Sequence, residues 1–352
     1  MNARGLRGVV AAVAALALTT LTAACGGSGG GDTKAGAAPA EVRLGFFPNI
    51  THATALVGVE KGLYAKHLGS GTTLKTSTFN AGPAAIEAVF SGAVDATYVG
   101  PNPAINAWSK SKGKAINIVA GAASGGVFLV VKPGITTPEQ LKGKKIATPQ
   151  LGNTQDVALR YWLTEKGLKA DTKGGGDVHI VPQENSQTIQ TFATGDIDGA
   201  WVPEPFASRL IKESGGKVLV DERDLWPNKQ FVITHLIVRQ EFLKEHPDTV
   251  RKLIEAHVEA NDLIKSDPAG SAQTANAALQ KLTGKALKPE VLDNAFKNIT
   301  FTNDPIASSL VTSAEHATKV GLLDQVDLNG IYDLKILNEV LAAKGQSPIS
   351  DK

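Results

Sequence analysis

Short apolar runs alternate with amphipathic stretches along most of this chain. Val42-Arg43-Leu44-Gly45-Phe46 has the in–out alternation of a strand, and so does Leu74 to Phe79. Ala53 to Lys61 reads as a helix stopped by Gly62. Ala84 to Phe90 is a further helix, and Ala96 to Val99 and Ile116 to Ala120 are strands. The loop Gly121 to Gly126 closes this half. The alternation then resumes with a strand at Lys145–Thr148, a helix with Thr154 or Asn153 at its N-cap running to Glu165, and a strand at His179–Val181. A helix ending near Ser214 and a strand at Lys217–Val220 follow. Strands alternating with helices predict an α/β protein with mainly parallel sheets. Two strongly apolar runs, Val127–Val131 and Phe231–Val238, read as segments that cross between two bodies. From Pro247 onward the pattern is helical: Val250, Leu253, Ile254, Val258 and Ile264 make one stripe at helix spacing. Leu322 to Leu341 is read as part of the C-terminal helices.

One stretch occurs twice. Gly92, Asp95 and Tyr98, followed by Val99 and Pro101-Asn102-Pro103, superpose on Gly195, Asp198 and Trp201, followed by Val202 and Pro203-Glu204-Pro205. Each copy follows a helical segment and runs into a short apolar strand and a Pro-rich loop. An internal repeat with two copies predicts two similar lobes rather than a solenoid. The expected division is a first lobe from 41–127 and 235–352, with the C-terminal helices, and a second lobe from 128–234.

The N-terminus precedes the fold. Arg4 and Arg7 form a basic start, Val9 to Leu21 is apolar, and small residues lead to Cys25. Residues 1–24 read as an export signal, too short for a membrane span of about 20 apolar residues. Cys25 is the single cysteine, so an internal disulfide is excluded. A lone Cys here resembles a bacterial lipobox, with Thr22 where Leu is usual. Cys25 is therefore either a lipidated N-terminus or an incidental thiol behind an ordinary signal. Residues 25–40, rich in Gly, Ser and Ala, form the expected flexible tether. The composition, 42% apolar and 20% charged, is that of a globular body. The formal charge is only +2, and two of the positive charges, Arg4 and Arg7, lie in the leader. That balance argues against a nucleic-acid partner.

Few motifs carry chemistry. The seven histidines form no metal-ligand pattern, and no nucleophile elbow or phosphate-binding loop occurs. His257 lies on the apolar stripe and reads as a packed core residue. What remains is a set of loops at strand ends, where open α/β sheets bind ligands. Their polar residues are neutral: Asn49, Thr51, Asn80, Asn102, Ser124, Asn153, Thr154, Gln155 and Asn185. Several stand at helix starts, where free backbone N–H groups favour a small oxyanion; the same residue types are also ordinary caps and turn formers. Phe46, Phe47, Tyr98 and Trp201 either wall the cleft or belong to the core. Glu204 either accepts hydrogen bonds from a ligand or stands solvated at the rim. Asp95 and Asp198 read as structural turn residues.

The chain resembles the solute-binding proteins of bacterial ABC importers, in the nitrate, sulfonate and taurine group. The resemblance is carried by Val42 to His52, Gly62-Leu63-Tyr64, Asn80 to Pro83, Gly92 to Pro103, Leu141 to Ala147 and Gly195 to Pro205, and covers about residues 41 to 345. It implies a two-lobed, type II periplasmic-binding-protein-like α/β fold with two crossing segments and a ligand cleft between lobes. It places ligand contacts at Asn49, His52, Asn80, Gly100, Pro101, Ser124, Thr154, Gln155, Trp201 and Glu204. Gly100-Pro101-Asn102-Pro103 points to the aliphatic-sulfonate branch. The implied function is an exported lipoprotein that captures a small organic anion by lobe closure and hands it to a permease. Its partners would be the ligand, the permease and ATPase subunits, and the bilayer through Cys25. It would be a monomer on the outer face of the cell membrane, without catalytic residues, metal or cofactor. A nitrate, pyrimidine or thiamine-precursor ligand stays open, with an aromatic ligand stacking on Trp201. So does an enzyme resembling thiamine-pyrimidine synthases, which consume an active-site His; His52 is the only His in a predicted cleft loop. An exported, anchored chain fits capture better than biosynthesis.

Overall fold

Two sheets share the same strand plan. The computed structural model describes residues 38–352; the leader at 1–24, Cys25 and most of the tether lie outside the described residues. The strands are β1 (Glu41–Phe46), β2 (Thr73–Thr78), β3 (Ala96–Val99), β4 (Ile116–Gly125), β5 (Val127–Val131), β6 (Lys145–Thr148), β7 (His179–Pro182), β8 (Gly199–Pro203), β9 (Lys217–Asp221), β10 (Val232–Arg239) and β11 (Ile299–Phe301). The helices are α1 (Ala53–Glu60), α2 (Leu63–Leu68), α3 (Gly82–Phe90), α4 (Pro101–Lys110), α5 (Thr154–Glu165), α6 (Asn185–Thr194), α7 (Phe206–Ser214), α8 (Gln240–Glu245), α9 (Pro247–Ser266), α10 (Pro268–Thr283), α11 (Pro289–Lys297), α12 (Ala307–Lys319) and α13 (Lys335–Ala343).

The first sheet runs β11-β4-β10-β3-β1-β2 and the second β9-β5-β8-β6-β7. In the first, β1 is parallel to β2 and β3, and β10 is antiparallel to β3 and β4. In the second, β6 is parallel to β7 and β8, and β5 is antiparallel to β8 and β9. The registers also agree: Leu44 faces Ala96 and Gly45 faces Thr97, as Ile146 faces Gly199 and Ala147 faces Ala200. The sequence echo is therefore a duplicated sheet. Each antiparallel strand, β5 or β10, is the one the chain enters after leaving the other sheet. The first crossing falls at Gly125-Gly126, both with positive φ, where glycine is favoured. The second lies between β9 and β10.

The inner strands are covered on both faces, which is why β3, β5, β8 and β10 read as nearly continuous apolar runs, whereas the edge strand β2 is largely exposed. Leu44, Tyr98 and Leu236 pack under α1, α2 and α9 on one face of the first sheet; Val99, Ile118 and Ile237 pack under α3, α4 and α12 on the other. In the second sheet Leu129, Ile146 and Trp201 meet α5, and Phe128, Val130 and Val202 meet α6 and α7. His257 and the stripe Val250, Leu253, Ile254, Val258 and Ile264 are buried on α9. Tyr98 donates into or accepts from a buried network: its hydroxyl lies 2.5 Å from that of Tyr64 and 2.7 Å from His257 Nδ1.

Three readings need correction. Pro101-Asn102-Pro103 is not a loop: Pro101 opens α4, since a residue without an N–H suits the first helical turn. The predicted loop at Gly121–Ser124 is part of β4, which continues to Gly125 and is bordered by β11. A Cβ at Gly121 would collide with the backbone of Asp304, so glycine here permits close approach of another segment rather than a turn. Leu322 to Leu334 is not helical; only Lys335–Ala343 is, and Gly330 takes a left-handed turn before it.

Candidate functional site

The loops that leave the parallel strands of both sheets meet at one cavity. Phe47, Asn49, Thr51 and His52 follow β1, Asn80 and Ala81 follow β2, and Gly100 follows β3. From the other sheet, Asn153, Thr154 and Gln155 follow β6, Asn185 follows β7, and Pro203 ends β8; Ile233 of β10 completes the wall. The cavity is about 20 Å³, room for little more than one water. A larger concavity, about 790 Å³, is an open groove lined by Lys114, Gln240, Arg251 and Glu339 among others. Its charges are of both signs and it lies outside the convergence of strand ends. Size alone does not make it the site, because an open groove cannot strip water from a ligand.

Four helices begin at the small cavity. The residues just before α3, α4 and α5, namely Ala81, Gly100 and Asn153, are extended and cap nothing with their side chains. The start of α6 likewise carries no side-chain cap from Glu184. The first turns of α5 and α6 present N–H groups without a side-chain cap, whereas Pro83, Pro101 and Pro103 remove such groups from α3 and α4; the helix dipoles of all four still make the cavity attractive to an anion.

His52 lines the cavity. The Phe47 amide donates to its Nδ1 at 3.2 Å, and the rings of Phe47 and His52 stack at 4.3 Å. With Nδ1 accepting, the neutral ring carries its proton on Nε2, which can donate. Burial holds the imidazole down to about 3, so the ring is neutral at ordinary pH. Asn153 Nδ2 donates to Gln155 Oε1 at 2.8 Å, which leaves the Gln155 amide N–H₂ free to point elsewhere. The Thr154 hydroxyl and Asn185 Oδ1 are buried and have no hydrogen-bond partner among the described residues. Every side chain lining the cavity is uncharged, so the site offers directed donors rather than net charge.

The two lobes touch around this cavity. The Gly82 amide donates to Asn153 Oδ1 at 3.2 Å, and Asn80 Nδ2 donates to Glu184 Oε1 at 2.8 Å. Further out, Tyr161 of α5 stacks on His316 of α12 at 3.5 Å, and Lys319 pairs with Glu165 at 2.6 Å.

Of the residues nominated above, Asn49, His52, Asn80, Gly100, Thr154 and Gln155 lie together on the cavity. Pro101 does not line it; it borders a neighbouring small cavity beyond Thr154. Ser124 lies on β4, where its hydroxyl accepts the Phe231 amide at 3.4 Å. Trp201 is fully buried: its indole donates to Glu222 at 2.6 Å and meets Trp162 edge-on. It offers no stacking platform for an aromatic ligand. Glu204 is also fully buried, not at the rim; its oxygens accept from the Ser208 amide and hydroxyl and from Asn298 Nδ2. Both sit on the repeated stretch, whose strand turns its largest side chains into the core. Phe46 and Tyr98 are core too, and Phe47 alone of the four aromatics reaches the cavity. Pro203 and Ile233 carried no polar signal that could have singled them out. Among the described residues no group of His, Cys, Asp or Glu could hold a metal ion, and no helix is long and apolar enough to cross a membrane.

Residues 35–279 match the NMT1-like family. A Brucella abortus protein named as a binding protein is 30% identical over 263 residues, covering 71% of this chain and 78% of that one. The taurine-binding periplasmic protein of Escherichia coli K12 is 30% identical over 202 residues, 56% of this chain and 60% of that one. The periplasmic nitrate-binding protein NrtA of Synechocystis PCC 6803 superposes with a TM-score of 0.74 at 16% identity, covering 86% of this chain and 89% of that one. The duplicated sheets, the two crossings and the cleft between them are those of the periplasmic-binding-protein fold, and the chain belongs to the NMT1-like family.

Proposed function

We propose that this protein is the solute-binding component of an ABC importer, which catches a small organic anion, an aliphatic sulfonate, between its lobes and delivers it to a membrane permease. The observation that carries this reading is the convergence of four helix starts, two from each sheet, on a cavity without a charged side chain. Both lobes supply donors, so a bound anion favours the closed arrangement over the open one. The taurine-binding relative supports a sulfonate. The leader and Cys25 support an exported protein tethered to the outer face of the cell membrane. His52 serves as a neutral donor rather than as a reactant, which fits capture and not chemistry.

Nitrate is the second reading, favoured by the small cavity of about 20 Å³. Isothermal titration with taurine, alkanesulfonates and nitrate separates the two. Sulfonate binding with no response to nitrate is expected. Nitrate binding alone overturns the sulfonate, and no binding by any of them overturns capture of an oxyanion.

A further inference from the structure

Helix α5 belongs to the cavity at one end and to the other lobe further along. Its first residues, Thr154 and Gln155, line the cavity. Tyr161 and Glu165 share one helix face and stand about 10 and about 16 Å beyond Thr154 at the helical rise. That face meets α12 of the first lobe, which is itself packed on α4. Tyr161 stacks on His316 with ring centroids 3.5 Å apart and planes 12° from parallel. Lys319 Nζ donates to Glu165 Oε1 at 2.6 Å, and the same ammonium lies 5.2 Å from the centre of the Tyr161 ring. Trp226, on the segment that returns from the second sheet, backs His316 at 5.6 Å. Burial holds the His316 imidazole down to about 4, so the stack joins two neutral rings. None of the four side chains lines the cavity. Each pair has one member in each lobe, so both contacts are made only when the lobes come together. The stack is the larger part, because the Lys319 and Glu165 side chains are 52% and 45% exposed and water screens such an ion pair.

We propose that Tyr161 and His316, with Glu165 and Lys319 at their edge, form a latch that sets the affinity for the captured solute without touching it. This rests on the capture reading and concerns how firmly the lobes shut, not what they hold. The fraction of the protein that stands closed divides directly into the Kd of a solute held between the lobes. Helix α5 carries the donors at its start and the latch further along as one rigid element. Loosening the latch therefore weakens the hold on every solute by the same factor, whatever its chemistry.

The test reads small-angle scattering of the free protein and isothermal titration with taurine, 1-butanesulfonate and nitrate, on the natural full chain and its variants. Tyr161→Ala should enlarge the radius of gyration of the free protein and raise the Kd of every solute that binds by one common factor, about fivefold, with little change in melting temperature. Tyr161→Phe keeps the ring and should behave as the natural protein. Glu165→Lys sets two ammonium groups against each other and should raise the Kd severalfold; adding Lys319→Glu should restore it. A Kd that Tyr161→Ala leaves unchanged, or a loss confined to one of several bound solutes, overturns the latch and leaves capture standing. Should none of the three solutes bind, capture of an oxyanion falls and the scattering decides the latch alone: a larger radius in Tyr161→Ala supports it and an equal radius overturns it.

Discussion

Asp198 makes in the second sheet the contacts that Asp95 makes in the first. Asp95 Oδ2 accepts the Arg43 amide at 2.9 Å, and Asp198 Oδ2 accepts the Lys145 amide at 2.9 Å. Each residue's own amide donates back to the same partner's carbonyl, and each carbonyl accepts the amide of a residue on or just beyond the crossing strand, Arg239 or Lys132. Each aspartate, by its carboxylate and its backbone, thus ties the middle parallel strand, β1 or β6, to the end of the antiparallel one, once per lobe.

Their surroundings differ, and so should their worth. The Asp95 side chain is 3% exposed and is also held by the Arg43 guanidinium at 2.6 Å, whereas the Asp198 side chain is 31% exposed with Lys144 at 3.6 Å. Removing Asp95 takes the acceptor from the Arg43 amide and the partner from its half-exposed guanidinium. Asp95→Ala should cost about 2 kcal/mol and Asp198→Ala about 1 kcal/mol in urea unfolding. Equal losses would contradict this ranking.

Gly100 faces Thr154 of the other lobe across the cavity. Its backbone is extended, φ −73 and ψ 168, so alanine suits it locally. A Cβ there would instead meet the Thr154 hydroxyl across the cleft. Gly100→Ala should act as a wedge: the melting temperature of the unliganded protein barely moves, while the ligand Kd rises about tenfold or more as closure is blocked. An unchanged Kd would show that closure does not bring these residues together.

Trp201 belongs to the core, not to the ligand. Trp201→Phe strands the Glu222 carboxyl and should cost about 2 kcal/mol of stability. The Kd for an alkanesulfonate should change little. Calorimetry of unfolding and of binding on the same variant checks both halves, and a large loss of affinity at unchanged stability would contradict them.

Buried titrating groups give the stability a two-sided pH profile. Desolvation holds His52 down to about 3 and His235 and His257 to about 4, from 6.5. The unfolded chain therefore takes up protons first, and the stability tied to these rings is complete above 6.5 and lost as the pH falls toward 4 for His235 and His257 and toward 3 for His52. Glu222 has the opposite sign: raised from 4.5 to about 7, it keeps in the folded chain a proton that the unfolded chain releases. Its contribution is present below 4.5 and lost as the pH rises toward 7. Glu222→Gln should abolish that second limb, gaining on the natural protein as the pH rises from 4.5 to about 7 in scanning calorimetry. A variant curve parallel to the natural one would contradict the assignment.

Much of this was legible from the chain. The strand-end loops at Asn49, Asn80 and Thr154 were readable because alternation locates the strands and open sheets bind ligands at one edge. The repeat around Asp95 and Asp198 gave two lobes, and the registers of β3 and β8 reproduce it. The roles of Trp201 and Glu204 were not legible. A residue on a two-residue period faces either the cleft or the core, and only packing decides which. Glu222, Trp226 and Ile233 were hidden for another reason: they lie on the returning crossing segment, brought to the cleft by contacts distant in sequence. Helix α4 was missed because Pro-x-Pro reads as a stop as readily as a start.

Small-angle scattering of the protein with and without saturating sulfonate tests most directly whether a solute is caught between two closing lobes. A smaller radius of gyration with ligand, and no such change in Gly100→Ala, is the predicted result. A saturated protein whose radius matches that of the free one would contradict it.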